Sequence, residues 1–151
     1  MRKSKGFTLI ELLIVVAILG ILGSILFVSI SGKPQARARD SKRIGDLSGL
    51  RLALELRYNE KGVYPTNAEG LAILQTEGYL GNVPIDPKTS PSCSGFSDGN
   101  YKYVLSSDGT KYILAACLED TSNNVLSSDL DGTPTGQSWN CNDPVYCIGS
   151  M

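Results

Sequence analysis

Gly6-Phe7-Thr8-Leu9-Ile10-Glu11-Leu12-Leu13-Ile14-Val15-Val16-Ala17-Ile18-Leu19-Gly20-Ile21-Leu22 is an apolar run with a single carboxylate near its front. From Leu12 to Gly32 no residue carries a formal charge. At about 1.5 Å of rise per helical residue, that stretch is long enough to cross a hydrocarbon core of roughly 30 Å. The physical reading is one membrane-spanning helix. Glu11 is the anomaly, because a charge in or at the edge of a bilayer is costly and marks a functional candidate.

Working outward, Arg2, Lys3 and Lys5 precede the run without an acid among them, which favours a cytoplasmic start and an exported remainder. The basic side chains continue through residues 33–62. Beyond that point only Lys88, Lys102 and Lys111 face a larger number of acids, and the whole chain of 151 residues carries a net charge of −1. Four cysteines, Cys93, Cys117, Cys141 and Cys147, all follow the apolar run. In an exported domain with a modest core they predict two disulfides, for which three connectivities exist. With no His and no Cys-x-x-Cys pair, a thiolate metal site is the weaker alternative. A secretory signal cut after Ala36-Arg37-Ala38 is a further alternative, although the apolar run exceeds the usual length.

The residues Lys5-Gly6-Phe7-Thr8-Leu9-Ile10-Glu11, followed by the apolar helix, resemble the processing signature of type IV prepilins and the related type II secretion pseudopilins. The resemblance is strong to about residue 27 and looser through the stem. It implies a prepilin peptidase that cuts between Gly6 and Phe7 and methylates the new amine of Phe7. It also implies that Glu11 meets the terminal amine of a neighbouring subunit, which would tolerate a buried charge by pairing it. Within one chain Glu11 stands one helical turn from that amine. The bland alternative leaves it solvated among lipid headgroups. Many type IV pilins carry a proline near the position of Val28, and this chain does not, so the family's partial helix melting is not implied here.

The expected organisation is a leader over 1–6, a hydrophobic transmembrane and filament-core helix over 7–32, an amphipathic stem helix over 33–62, and a small disulfide-containing globular domain over 63–151. In class it is α+β and pilin-like, a long N-terminal helix carrying a small antiparallel β domain. Gly20 and Gly23 are candidate helix-packing positions, and Pro34 a candidate bend. In the stem, Ile44, Leu47, Leu50, Leu54 and Tyr58 form a stripe at helical spacing that Leu52 and Leu56 widen. Arg37, Lys42, Arg43, Arg51 and Arg57 are expected on the opposite face. Interspersed Asp40, Asp46, Glu55 and Glu60 weigh against nucleic-acid contact, so DNA binding has no support beyond the cations, and anionic headgroups are a comparable partner.

Gly62 ends the stem, Asn67 is expected to cap a short helix over 68–76, and two prolines make residues 78–87 a loop. Alternating Tyr101, Tyr103 and Leu105, a Ser106-Ser107-Asp108-Gly109 turn and a strand over 111–118 predict a hairpin. Cys117 then falls on or near the second strand. A Cys93–Cys117 bridge would tie the preceding loop to the sheet and leave Cys141 with Cys147, with the other pairings still open. Residues 121–151 read as turns without helical periodicity. Asp129-Leu130-Asp131-Gly132, with Asp120 before and Asp143 after, offers hard oxygen ligands for Ca²⁺ at Asp129 and Asp131, and a turn with exposed acids explains it as well.

Absent His, a nucleophile elbow and a phosphate-binding loop, an enzyme is a poor fit. The expected function is a structural subunit of a type IV pilus or pilus-like filament, processed after Gly6 and assembled through its N-terminal helix as a homo-oligomeric filament with minor pilins by inner-membrane machinery. The alternatives are a type II secretion pseudopilin and an unprocessed single-span anchor. The subunit is expected as a single-pass protein in inner-membrane lipid, then in a surface or periplasmic filament.

Overall fold

The computed structural model describes residues 6–29, 33–89 and 93–149, the side chains of residues 25–29 excepted. Most of the expected leader and residues 30–32 of the expected span lie outside them. The chain divides into two units, Met1–Gln35 and Ala36–Met151.

In the first unit, helix α1 runs over Leu9–Ser29. Its described side chains, Leu9 to Ser24, are exposed. Among the described residues no helix is long and apolar enough to cross a membrane. Those described side chains stop short of the about 20 that a span requires.

The second unit is built on α2, Lys33–Lys61, whose first residues close the first unit. Pro34 lies in the first described turn of α2, where its missing N–H leaves no intrahelical bond unmade. Gly62 ends the helix at a φ of 73°, its N–H bonded to the Tyr58 carbonyl at 2.7 Å. Three antiparallel strands follow: β1 (Lys102–Leu105), β2 (Tyr112–Cys117) and β3 (Val145–Gly149), in the order β1-β2-β3. Lys102 pairs with Ala115 and Leu105 with Tyr112 across the expected hairpin. β3 corrects the reading of residues 121–151 as turns alone. It pairs Cys147 with Ala115 and Val145 with Cys117, so a short, Cys-containing segment becomes a strand through a partner the local pattern does not reveal.

Side chains alternate across this sheet as strand geometry requires. Tyr112, Leu114 and Ala116 join Tyr103, Tyr146 and Ile148 against Leu47, Leu50 and Leu54 of α2. Ala115, Cys117, Val104, Val145 and Cys147 form a second cluster with Phe96 and Trp139. That second core is small and carries both disulfides, Cys93–Cys117 and Cys141–Cys147. Bridges are a common supplement where a domain cannot bury much apolar surface.

Several local expectations are corrected. Helix α3 covers only Ala72–Thr76 and Asn67 does not cap it. Asn67 instead donates to the Leu105 carbonyl and accepts from the Leu105 N–H at 2.7 Å, tying the segment to β1. Gly70, at a φ of 59°, separates the preceding turn from the helix. On α2, Leu52 and Leu56 do not widen the buried stripe; they are 62% and 48% exposed. The face turned inward runs Asp40, Arg43, Leu47, Leu50, Leu54 and Arg57, so two of the expected surface cations point into the protein.

Arg43 is fully buried and satisfied by four acceptors. It donates to Asp40 at 2.7 Å, Asp86 at 2.7 Å, Glu119 at 3.0 Å and the Lys88 carbonyl at 2.6 Å. Asp40 in turn accepts the backbone N–H groups of Glu119 and Asp120, each at 2.9 Å. Arg39 binds both oxygens of Glu119, at 2.6 and 2.7 Å. Hydrogen bonds from Arg39, and then from Arg43, hold the Glu119 carboxyl at about 2 against the opposing effect of burial. At the other end of the helix Arg57 donates to Glu77 and to the Val63 carbonyl.

Removing one partner of a buried ion pair strands the other charge, at a cost of about 3–5 kcal/mol. Asp40→Ala therefore lowers the unfolding free energy of the second unit by that amount, read by urea titration of the full chain. A loss under about 1 kcal/mol, the value of an exposed pair, would refute the reading of Asp40 as a buried partner whose removal strands Arg43.

Candidate functional site

Two sites follow from these elements, one in each unit. In the first, Gly6 and Phe7 precede α1 in non-helical backbone, and both are exposed. The peptide bond between them therefore lies in exposed, non-helical backbone. Thr8 and Glu11 start the helix as a reciprocal pair. The Thr8 N–H donates to Glu11 Oε2 at 2.9 Å, the Thr8 hydroxyl donates to the same oxygen at 2.7 Å, and the Glu11 N–H reaches back to the Thr8 hydroxyl at 3.4 Å. This is the Thr-x-x-Glu capping box, which satisfies N–H groups that the first turn leaves without partners. Glu11 thus has a structural task before any subunit contact, a task implicit in its spacing from Thr8. Gly20 and Gly23 leave open space where a side chain would stand.

In the second unit, the tail between β2 and β3 brings Asp129, Asp131 and Asp143 together, with one carboxylate oxygen of each within 4.8 Å of the others. Asp120, expected beside them, is engaged elsewhere, accepting from Arg37 at 2.9 Å and from Ser122. Asp129 is set by β3: its Oδ2 accepts the Cys147 N–H at 2.8 Å. Its other oxygen, Oδ1, is buried and has no hydrogen-bond partner, alone in this among the described side chains. An orphaned buried acceptor costs about 1–3 kcal/mol. Burial, opposed by the Cys147 N–H and reinforced by the charges of Asp131 and Asp143, raises the Asp129 carboxyl above its ordinary value.

The donor set fits a hard cation. Three carboxylates supply oxygen and negative charge, and Ca²⁺ takes roughly six to eight oxygen ligands at about 2.3–2.6 Å, with carbonyls and water completing the shell. A bound cation would give the Asp129 oxygen its partner and relieve the repulsion that raises its pKa. Asp143 enters the set because it lies inside the loop closed by Cys141 and Cys147, a spacing visible in the sequence once that bridge is known.

The cations of α2 are largely spent on ion pairs within the second unit. Besides Arg43, Arg37 holds Asp120, Arg39 holds Glu119, Lys42 holds Asp46, and Arg57 and Lys61 share Glu77.

Comparison with known proteins bears on the first site and on the chain as a whole. The prokaryotic N-terminal methylation motif matches residues 1–27. A type II secretion system core protein G from Vibrio cholerae is 30% identical over 95% of this chain and 97% of its own length. The Klebsiella pneumoniae protein of the same name is 29% identical over 89% of this chain and 90% of its own, and that of Aeromonas hydrophila 28% over 94% and 96%. No solved structure matches the chain. The likeness favours the secretion-system alternative over a type IV pilus subunit. With the methylation motif at its start and a full-length relative at this identity, the chain belongs to the family of type II secretion system core protein G, a family of pseudopilins.

Proposed function

We propose that this chain is a pseudopilin subunit of a type II secretion system, a structural protein and not an enzyme. A prepilin peptidase cuts it between Gly6 and Phe7 and methylates Phe7. The segment over 7–32 holds the processed subunit in the inner membrane until assembly machinery draws it into a periplasmic filament of like subunits. The full-length likeness to proteins named for the core of such a system carries this reading. The exposed, non-helical Gly6–Phe7 bond ahead of a capped helix supports it.

Cleavage removes Arg2, Lys3 and Lys5 and creates an amine that stays cationic after methylation. In the filament Glu11 meets that amine on a neighbouring subunit and sets the register, since a buried charge is tolerable when paired and costly when not. Asp129, Asp131 and Asp143 hold Ca²⁺, which bridges the turn before β3 to the loop that enters it.

Mass spectrometry of the protein from membranes is expected to find a chain starting at methylated Phe7. An intact Met1 start in a strain with an active peptidase would mean an unprocessed anchor. Glu11→Ala keeps membrane insertion and cuts filament yield by roughly tenfold or more, the factor that about 1.4 kcal/mol of lost contact supplies. Equal yield of sheared filaments from mutant and parent rules the register role out. For the cation, calcium at a hundredfold excess over its dissociation constant adds about 2.7 kcal/mol to the folded state. Calcium chloride is then expected to raise the melting temperature of the parent chain, with EDTA reversing the rise and Asp131→Asn losing it. No rise at millimolar calcium leaves the turn as exposed acids alone.

A further inference from the structure

We propose that the Cys141–Cys147 disulfide is the clip that shapes the Ca²⁺ turn, joining the two points at which that turn is docked, so that cation affinity depends on the oxidation of this one bridge. The proposal rests on the Ca²⁺ reading of Asp129, Asp131 and Asp143 given above.

The turn Asp129-Leu130-Asp131-Gly132 is hydrogen-bonded at each end to one of these two cysteines. At its start, the Cys147 N–H donates to Asp129 Oδ2 at 2.8 Å, and the Leu130 N–H donates to the Cys147 carbonyl at 3.1 Å. At its end, the Cys141 N–H donates to the Gly132 carbonyl at 2.7 Å. The sulfurs of Cys141 and Cys147 are bonded across a separation of six residues, and both residues are buried. Asp143 lies within the loop they close. All three carboxylates of the cluster are therefore placed by this bridge or by residues bonded to it.

The two docking points are not equally secure without the bond. Cys147 stands in β3 opposite Ala115 and stays fixed by the sheet. Cys141 lies in no strand or helix. Loss of the bond leaves Asp129 docked on β3 through the Cys147 N–H and releases the Gly132 end of the turn together with Asp143. Two of the three carboxylates then lose their placement, although none is altered chemically. The second bridge, Cys93–Cys117, makes no hydrogen bond to the turn among the described residues, and so serves as the internal comparison.

Groups that orient metal ligands without touching the metal are worth about 10–100-fold in affinity. The test is isothermal titration of the full chain in detergent with calcium chloride, comparing the oxidised parent with Cys141→Ser/Cys147→Ser. The expected result is a dissociation constant at least about tenfold higher in the double variant. The same constant in a folded variant overturns the clip and leaves the Ca²⁺ reading standing. No binding by the parent overturns both.

A second measurement uses only the parent chain and covers a variant that does not fold. Dithiothreitol delivers two electrons and two protons to the bridge, yielding two thiols, and itself closes to a cyclic disulfide. By reciprocity of linked equilibria, saturating Ca²⁺ shifts the reduction equilibrium of Cys141–Cys147 toward the disulfide by the same factor as the affinity change. Alkylation and peptide mass spectrometry read each bridge separately. A shift of about tenfold or more at Cys141–Cys147, with Cys93–Cys117 unmoved, supports the clip. Equal response of both bridges, or none at either, overturns it.

Discussion

One guanidinium organises the second unit. Arg43 lies where a helical repeat would place a leucine, and the fold surrounds it with Asp40, Asp86 and Glu119 instead of apolar side chains. Each of those acids comes from a different part of the chain: α2 itself, the proline-rich loop, and the segment leaving β2. An apolar side chain would pack against whatever surface was offered. A buried cation accepts only the arrangement that satisfies it, because each unmet bond is costly in a medium of low dielectric constant. The interaction thus specifies position more than it adds net stability, since the desolvation of its partners offsets much of the attraction.

The same contrast explains what could be read from the sequence. The hairpin was legible because Tyr103 and Leu105 alternate and Gly109 closes a turn at positive φ, all within a dozen residues. α2 was legible from the spacing of Leu47, Leu50 and Leu54. Its rotation was not, because residue class argues that arginines face water, and here Arg43 and Arg57 extend the inward stripe at its two ends. β3 was hidden for a different reason. Val145, Tyr146 and Ile148 are good strand formers, but the run is only five residues long within a turn-rich tail, and its pairing with the open edge of β2 is what identifies it. Asp143 joined the acidic turn only through folding, whereas Asp129 and Asp131 stand two residues apart in sequence. The processing stretch was the most legible part, since its information is local and needs no partner.

In the second core, covalent bonds take over part of the work that apolar area does in the first. One face of the sheet rests on a long helix rich in leucine; the other is closed by Phe96, Trp139 and the two bridges. Both disulfides lie in the cluster on the face of the sheet opposite α2. This arrangement lets a turn-rich, polar tail remain ordered enough to present three carboxylates in one place.

The Arg43 cage also has a mechanical side. Tension applied along α2 passes to the rest of the second unit through the side chains that this helix buries. Arg43 binds Asp86 and Glu119, and Asp40 beside it on α2 takes the Glu119 and Asp120 N–H groups, so the bonds that leave the helix here share one short stretch and take up load together. Bonds that must fail together resist force better than the same bonds peeled in turn. The cage therefore makes α2 and the sheet behave as one body under tension, an advantage that no measurement of equilibrium stability at rest would register.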